Sequence, residues 1–118
     1  MRYYLCSSLV DYSKMELHNE YHWVEDLLKH VHFPCHALLV ASSPDEIEKT
    51  RRYAQEIVDV MDKQGLCLSG FDILDRNSAK RTKELVNKAD IIIAMGGHVP
   101  TQNAFFQEID LKKHLQEF

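Results

Sequence analysis

The fold is decided by residues 90–103, which read Asp90-Ile91-Ile92-Ile93-Ala94-Met95-Gly96-Gly97-His98-Val99-Pro100-Thr101-Gln102-Asn103. The apolar run 91–95 is typical of a strand that is covered on both faces in a parallel sheet. Two adjacent glycines end the run, and glycine suits a backbone that must turn sharply or approach a bound group. Pro100 then favours a helix, which we expect to begin near Thr101 or Gln102. The segment predicts a strand, a Gly-Gly loop and a helix.

Such a loop lies at the carboxyl end of its strand, where open α/β sheets bind their ligands. Free backbone N–H groups there can hold a phosphate, a carboxylate or the oxyanion that develops during acyl transfer. The chain contains neither Gly-x-Gly-x-x-Gly nor Gly-x-x-x-x-Gly-Lys-Ser/Thr, the two common phosphate-binding fingerprints. The spacing is equally typical of a plain tight turn, so both interpretations stay open.

Composition and charge narrow the class of protein. With 118 residues, of which 45% are hydrophobic and 27% charged, the sequence fits one soluble globular domain and excludes a disordered chain. The net charge of −4 and the pI near 5.9 argue against a nucleic-acid partner, which needs a clustered basic surface. Acidic residues are interleaved with the one basic cluster, so we interpret it as a solvated helix face: Lys80, Arg81, Lys83 and Lys88.

The cysteines indicate a reducing environment. Cys6, Cys35 and Cys67 are an odd number of thiols without a Cys-x-x-Cys spacing. The sequence also lacks a signal-peptide pattern and any apolar run of about eighteen residues. We therefore expect a cytoplasmic protein with no membrane partner, whose reduced thiols are small buried hydrophobes in or beside strands.

Hydrophobic periodicity predicts strands and helices in alternation. The strands are expected over residues 3–6, 37–41, 66–74 and 91–95, with a helix after each and a loop over residues 9–17. This order with short connections predicts an α/β fold of three layers, in which helices cover both faces of a doubly wound parallel sheet with right-handed crossovers. No linker or repeat interrupts residues 1–118, so a single domain is predicted.

Local signals predict where individual helices begin and end. Ser43, Pro44 and Glu46 fit a helix start with a capping box, in which Ser43 is the N-cap. Gly65 fits the end of the same helix. The apolar residues after Gly97 change phase near Asp110, which predicts two short helices in place of one.

Seven histidines raise the question of a metal site. His18 and His22 are four residues apart and would share one face of a helix, but His-Glu-x-x-His is absent. The other pair with this spacing, His32 and His36, spans Pro34 and cannot lie on one helix. We therefore expect surface or structural histidines, no metal and no other cofactor. The Gly-x-Ser-x-Gly nucleophile elbow of serine hydrolases is also absent from the sequence.

Two stretches resemble the peptidase S51 family, which includes aspartyl dipeptidase and cyanophycinase. They are Ile73-Leu74-Asp75-Arg76-Asn77 and Gly96-Gly97-His98-Val99-Pro100-Thr101-Gln102-Asn103-Ala104-Phe105-Phe106. The likeness extends over essentially the whole chain, although only the second stretch is specific. It implies a fold similar to the class I glutamine amidotransferases, of which this chain would be the Rossmann-like or flavodoxin-like amino-terminal half.

The resemblance also implies a serine-type peptidase that hydrolyses small or acidic peptides. The backbone amides of Gly96 and Gly97 would form its oxyanion hole, and three further residues would lie near the substrate: His98, Gln102 and Asn103. Family members carry the nucleophile elbow, the histidine and the acidic partner after the segment equivalent to residues 111–118. The nucleophile, base and acid are therefore expected beyond Phe118, and we expect these 118 residues to be inactive alone.

A second interpretation of the Gly-Gly loop requires no chemistry. The chain would then be a non-catalytic α/β module that binds a small anion or carboxylate. Under the first interpretation, a further strand would pair beside residues 91–95, and without it an apolar sheet edge would be unpaired. We therefore expect two copies of the chain to cover each other's edge as a homodimer.

Overall fold

The computed structural model describes residues 10–11, 13–17, 22–96 and 99–117. Five strands lie within these residues: β1 (Val10–Asp11), β2 (Glu16–Leu17), β3 (Cys35–Val40), β4 (Leu68–Leu74) and β5 (Ile91–Ala94). The α-helices are α1 (Trp23–His30), α2 (Ile47–Lys63), α3 (Thr82–Lys88), α4 (Val99–Glu108) and α5 (Leu111–Glu117), and a 3-10 turn, Ala79–Arg81, precedes α3. The strand predicted over residues 3–6 lies outside the described residues.

The main sheet has three parallel strands in the order β4-β3-β5. Val40 of the central strand is aligned with Leu74 on one side and with Ala94 on the other. Residues 37–41 are completely buried, with 0% exposure, as a continuous apolar run in a parallel sheet requires. The predicted strand over residues 37–41 is confirmed, with bounds that lie one to two residues earlier.

Helices pack against both faces of β3. Successive side chains of the strand point to opposite faces and pack in two different apolar clusters. Ala37 and Leu39 pack with residues of α1 and α2. Leu38 and Val40 pack instead with residues of α3, α4 and α5. The fold is therefore a mixed α/β structure compatible with a Rossmann-like sheet. The finer prediction, a doubly wound arrangement of three layers with right-handed crossovers, stays a prediction.

Residues 9–17 do not form the predicted loop along their described part. β1 and β2 form a two-stranded antiparallel ribbon, in which Val10 is opposite Leu17. Both side chains are buried in the cluster that contains α2, and the backbone N–H of Leu17 donates to the side-chain oxygen of Gln64 at the end of α2. No periodic signal marks these strands because each has only two residues, and tertiary packing stabilises the ribbon.

The predicted capping box before α2 is wrong. The helix begins at Ile47 with Glu46 as N-cap, and no side chain caps it. Ser43 lies in the turn before the helix, where its carbonyl oxygen accepts hydrogen bonds from the backbone N–H of Glu46 and from the hydroxyl of Thr50. Pro44 is buried, and its carbonyl accepts the backbone N–H of Arg76. This contact with the segment after β4 stabilises a turn where local sequence favours a helix.

Two predicted helix ends are confirmed. Gly65 has φ +87° directly after α2, in the left-handed region that glycine adopts without strain. Asp110 has φ +53° between α4 and α5, at the predicted break. α4 begins at Val99, two residues before the first predicted position, Thr101.

β5 is less covered than its apolar sequence predicts. Ile91, Ile92 and Ile93 are half-buried and Ala94 is exposed, whereas Met95, after the strand, is buried. Within the described residues, β5 pairs only with β3 and is therefore an edge strand. An edge strand has neighbours on one side only, so its side chains keep part of their exposure. The homodimer that would cover this edge stays a prediction.

Among the described residues, no helix is both long and apolar enough to cross a bilayer. The basic residues between 80 and 88 are exposed, and Arg81 pairs with Glu84 on the same face. This arrangement confirms the solvated helix face that the sequence predicts for Lys80, Arg81, Lys83 and Lys88.

Substitution of Gly65 tests the end of α2. We expect Gly65→Ala to lower the free energy of unfolding by about 1 kcal/mol, because an L side chain is strained at a positive φ. Gly65→Asn is the matched control and retains most of the stability, since asparagine tolerates this conformation better. Urea denaturation measures both, and equal midpoints for Gly65→Ala and the wild type would contradict the assignment.

Candidate ligand site at the carboxyl edge of the sheet

The carboxyl ends of the three parallel strands lie at one edge of the sheet. Residues 41–45 follow β3, residues 75–78 follow β4 and residues 95–96 follow β5. Ligands of open α/β sheets bind at this edge, because the loops that leave the strands converge there. The Gly-Gly loop therefore begins where the sequence predicts a ligand site.

Side chains from neighbouring elements fix the backbone where β5 ends. The Ser42 hydroxyl donates to the carbonyl oxygen of Gly96 at 2.7 Å. The Met95 carbonyl accepts the side-chain amide of Gln102, and the Met95 N–H donates to the Val40 carbonyl at 2.9 Å. The first residues of the loop are thus held by β3 and by α4.

Gly96 itself is exposed. A Cβ built on it would meet no atom of the described residues within 4 Å, apart from its chain neighbours. Glycine is therefore not required there by crowding within the described part of the protein. An exposed backbone without a side chain is what a ligand needs in order to approach closely.

The predicted site residues divide into three groups. Gly96 and Gln102 meet at the end of β5, where Gln102 is half-buried and bonded to Met95. Asn103 is exposed on the next position of α4. Gly97 and His98 lie outside the described residues, so the proposed oxyanion hole is only half within the described structure.

The segment after β4, residues 75–78, forms a turn. The Asp75 carboxylate is buried and accepts the backbone N–H groups of Asn77 at 2.9 Å and Ser78 at 3.2 Å. The Ser78 hydroxyl donates to the Ile73 carbonyl at 2.8 Å. These bonds form a turn stabilised by an aspartate side chain.

Arg76 links three segments of this edge. Its Nε donates to an Asp45 carboxylate oxygen at 2.9 Å, and its Nη1 donates to the Glu108 carboxylate of α4. Its guanidinium lies 5.4 Å from the centre of the Phe105 ring, within the range of a cation–π contact. The backbone N–H of the same residue donates to Pro44 at 3.1 Å.

A cleft of about 370 Å³ opens beside this ion pair. We call it the Arg76 cleft, and it is lined by residues 44–45, by Arg76 and by one face of α4: Pro44, Asp45, Arg76, Pro100, Thr101, Ala104, Phe105 and Glu108. No motif in the sequence indicates this cleft. The available signal was that Asp45 and Arg76 each follow closely on the end of a predicted parallel strand.

A histidine and an aspartate pair near the other end of the sheet. His36 Nε2 lies 2.7 Å from Asp72 Oδ2, and Lys88 Nζ lies 3.7 Å from the same oxygen. The Asp90 carboxylate accepts the backbone N–H of His36 at 2.8 Å. Across residues 10–11, 13–17, 22–96 and 99–117, no group of three or more His, Cys, Asp or Glu side chains is placed to hold a metal ion.

The two described thiols differ in exposure. Cys35 is buried, and burial together with the nearby Asp90 raises its pKa from the ordinary value of 9.0 to about 11. Cys67 is exposed, contrary to the prediction, and its hydrogen bond with Asp62 raises its pKa. A thiol with a raised pKa is a poor nucleophile at neutral pH, because little of it is present as the reactive thiolate. Cys6 lies outside the described residues.

Comparisons with known proteins do not identify the chain. No family model, curated protein or solved structure matches it. The peptidase S51 resemblance therefore stays a prediction from the residues quoted above.

The Cys35 thiol makes the stability depend on pH in a predictable direction. A group whose pKa is raised by folding favours the folded state while it is protonated, and this contribution falls as the pH rises from 9.0 to about 11. We expect the wild type to lose more stability over this range than Cys35→Ala does. Urea denaturation at several pH values measures the difference.

Val60→Ala is the control for that comparison, because it removes part of a buried side chain that does not titrate. It should lower stability by a similar amount at every pH and keep the slope of the wild type. Parallel curves for the wild type and Cys35→Ala would show that Cys35 is not the responsible group.

Proposed function

We propose that this chain forms the oxyanion side of an S51-type serine peptidase that hydrolyses small or acidic peptides. The observation that carries the proposal is the position of Gly96 at the carboxyl end of β5, exposed and with open space at its α-carbon. An oxyanion hole needs backbone N–H groups fixed before the reaction begins. The bonds from Ser42 and Gln102 to the carbonyls of Gly96 and Met95 favour such a fixed backbone.

The proposed roles follow the order of residues in the loop. The amides of Gly96 and Gly97 donate to the negative oxygen of the tetrahedral intermediate, and His98 and Asn103 contact the substrate. Gln102 lies near the substrate as well, and its side-chain amide donates to the Met95 carbonyl. It holds the loop against α4. Removal of one hydrogen-bond donor from an oxyanion hole, such as the amide of Gly96 or Gly97, typically lowers kcat by about 10²- to 10³-fold.

Under this proposal these residues supply no attacking group, since the sequence lacks the Gly-x-Ser-x-Gly elbow. Loss of a nucleophile and its base removes most of the rate enhancement of a serine peptidase. The chain alone should therefore bind peptides without cleaving them.

A library of small and acidic peptides, incubated with the chain and separated by mass spectrometry, tests this expectation. We expect no product above the level of a control in which Gly97 is replaced. Turnover that the Gly97 variant loses would show that these residues contain a complete catalytic site, contrary to the proposal.

The second candidate is a non-catalytic α/β module that binds a small anion or carboxylate at the same loop. The same exposed Gly96 favours it, because the geometry fits any ligand that accepts hydrogen bonds from backbone amides. The coding sequence downstream of codon 118 distinguishes the two. A Gly-x-Ser-x-Gly segment in frame would favour the peptidase, and its absence would favour the binding module.

Gly96→Ala tests ligand approach at the loop. The added methyl group meets open space, so we expect the melting temperature to change little. Binding of N-acetylaspartate should weaken by about tenfold or more, because the methyl group obstructs the backbone amides. Titration followed by backbone amide NMR shifts measures the affinity. Ser69→Ala, an exposed position near the amino end of β4, is the control and should bind as the wild type does.

Unchanged affinity in Gly96→Ala would remove both candidate functions from this loop. A large loss of melting temperature would instead show that the space at Gly96 is filled by residues outside the described ranges. In that case the affinity is measured at a temperature where the variant is fully folded, and this affinity decides whether the ligand binds at Gly96.

A further inference from the structure

We propose that the Arg76 cleft binds a primary ammonium group carried on a short apolar chain. The inference goes beyond the proposed function, because it concerns a different group of residues at the same sheet edge. It does not depend on whether the Gly-Gly loop serves in catalysis.

Charge in the cleft favours a cation. The lining contains two carboxylates, Asp45 and Glu108, and one guanidinium, Arg76. An incoming cation is therefore attracted by two groups and repelled by one, whereas an incoming anion meets the opposite balance. The net charge of −4 on the whole chain acts in the same direction.

Both carboxylates keep capacity for further hydrogen bonds. The side chains of Asp45 and Glu108 are 72% and 52% exposed, and each accepts one hydrogen bond from Arg76. An ionised carboxylate offers about four acceptor positions. An ammonium group has three donors and no acceptor, so it complements oxygens that are only partly used.

Arg76 also holds the carboxylates in place. Its Nε and Nη1 are bonded to different acidic residues, and its guanidinium lies against Phe105. Its backbone is fixed by the hydrogen bond to Pro44 and by the Asp75 turn. The acidic groups are therefore partly ordered before a ligand arrives, which lowers the entropy lost on binding.

The walls of the cleft limit the shape of the ligand. Pro44, Pro100 and Ala104 provide apolar surface, while the Phe105 ring is already in contact with the Arg76 guanidinium. A flat aromatic cation would have to displace this contact, but an alkyl chain would not. The volume of about 370 Å³ is near the lower end of small-molecule sites, which suits a ligand the size of an amino acid.

The cleft is close to the Gly-Gly loop. Arg76 follows β4 and Gly96 follows β5, with β3 between them. Adjacent strands are about 4.8 Å apart, so the two sites are separated by roughly 10 Å along the edge.

Three sources of a primary ammonium group can be compared directly by titration of the folded chain. Alaninamide carries the amino terminus of a peptide, Nα-acetyllysinamide carries a lysine side chain, and putrescine is a free diamine. N-acetylalaninamide is the neutral control. We expect at least one amine to bind about fivefold or more tightly than the control, and the tightest arm identifies the source. Binding should weaken at high salt, since exposed charges are screened.

Glu108→Gln tests the site while it preserves the shape of the side chain. We expect it to weaken amine binding by about fivefold or more. Glu84→Gln is the matched control, because Glu84 forms a similar exposed pair with Arg81 outside the cleft. If Glu108→Gln also lowers the melting temperature, Asp45→Asn provides the same test from the other carboxylate.

Two results would overturn the proposal: equal affinity for the amines and the neutral control, or unchanged amine affinity in both Glu108→Gln and Asp45→Asn. Gly96→Ala separates this inference from the proposed function. It should leave amine binding unchanged whether or not it abolishes carboxylate binding. Loss of amine binding in Gly96→Ala would show that the cleft is not a separate site.

Discussion

The structure depends on the burial of β3 between two parallel neighbours. Residues 37–41 have no exposure, because β4 and β5 pair with the strand on either side and helices cover its two faces. Removal of one such leucine from a well-packed core typically costs about 2–5 kcal/mol. Because β3 is buried in the centre, β4 and β5 lie on either side of it. The carboxyl ends of the three parallel strands then share one edge of the sheet, where the loops that follow them converge.

Polar side chains then organise that edge. Ser42 binds the Gly96 carbonyl, the Asp75 carboxylate forms the turn after β4, and Arg76 links that turn to Asp45 and Glu108. In the described part of the chain, no buried side-chain nitrogen or oxygen lacks a hydrogen-bond partner. Such satisfied networks favour one backbone arrangement over its alternatives. The same network leaves Gly96 exposed and holds Asp45 and Glu108 beside the Arg76 cleft.

Local signals identified several elements because their cause is local. Gly65 ends α2 through its own backbone freedom, and the change of phase near Asp110 marks the break between α4 and α5. Signals failed where tertiary contacts compete with local preference. In place of the predicted Ser43 capping box there is a turn, which the backbone N–H of Arg76 stabilises by donating to the Pro44 carbonyl. The ribbon β1–β2 is too short to show periodicity. The apolar sequence of β5 could not indicate that, among the described strands, it would pair with β3 alone.

By itself, the sequence determined the alternation of strands and helices from α1 onward, the parallel pairing of the main strands and the position of Gly96 at a strand end. These features follow from periodicity and from glycine, which act over a few residues. Only the tertiary structure decided which strands are neighbours, that Gln102 binds the Met95 carbonyl, and that Asp45, Arg76 and Glu108 share one cleft. The pairs Asp45–Arg76 and Arg76–Glu108 are 31 and 32 positions apart in the sequence, and their energies depend on packing that no local pattern encodes.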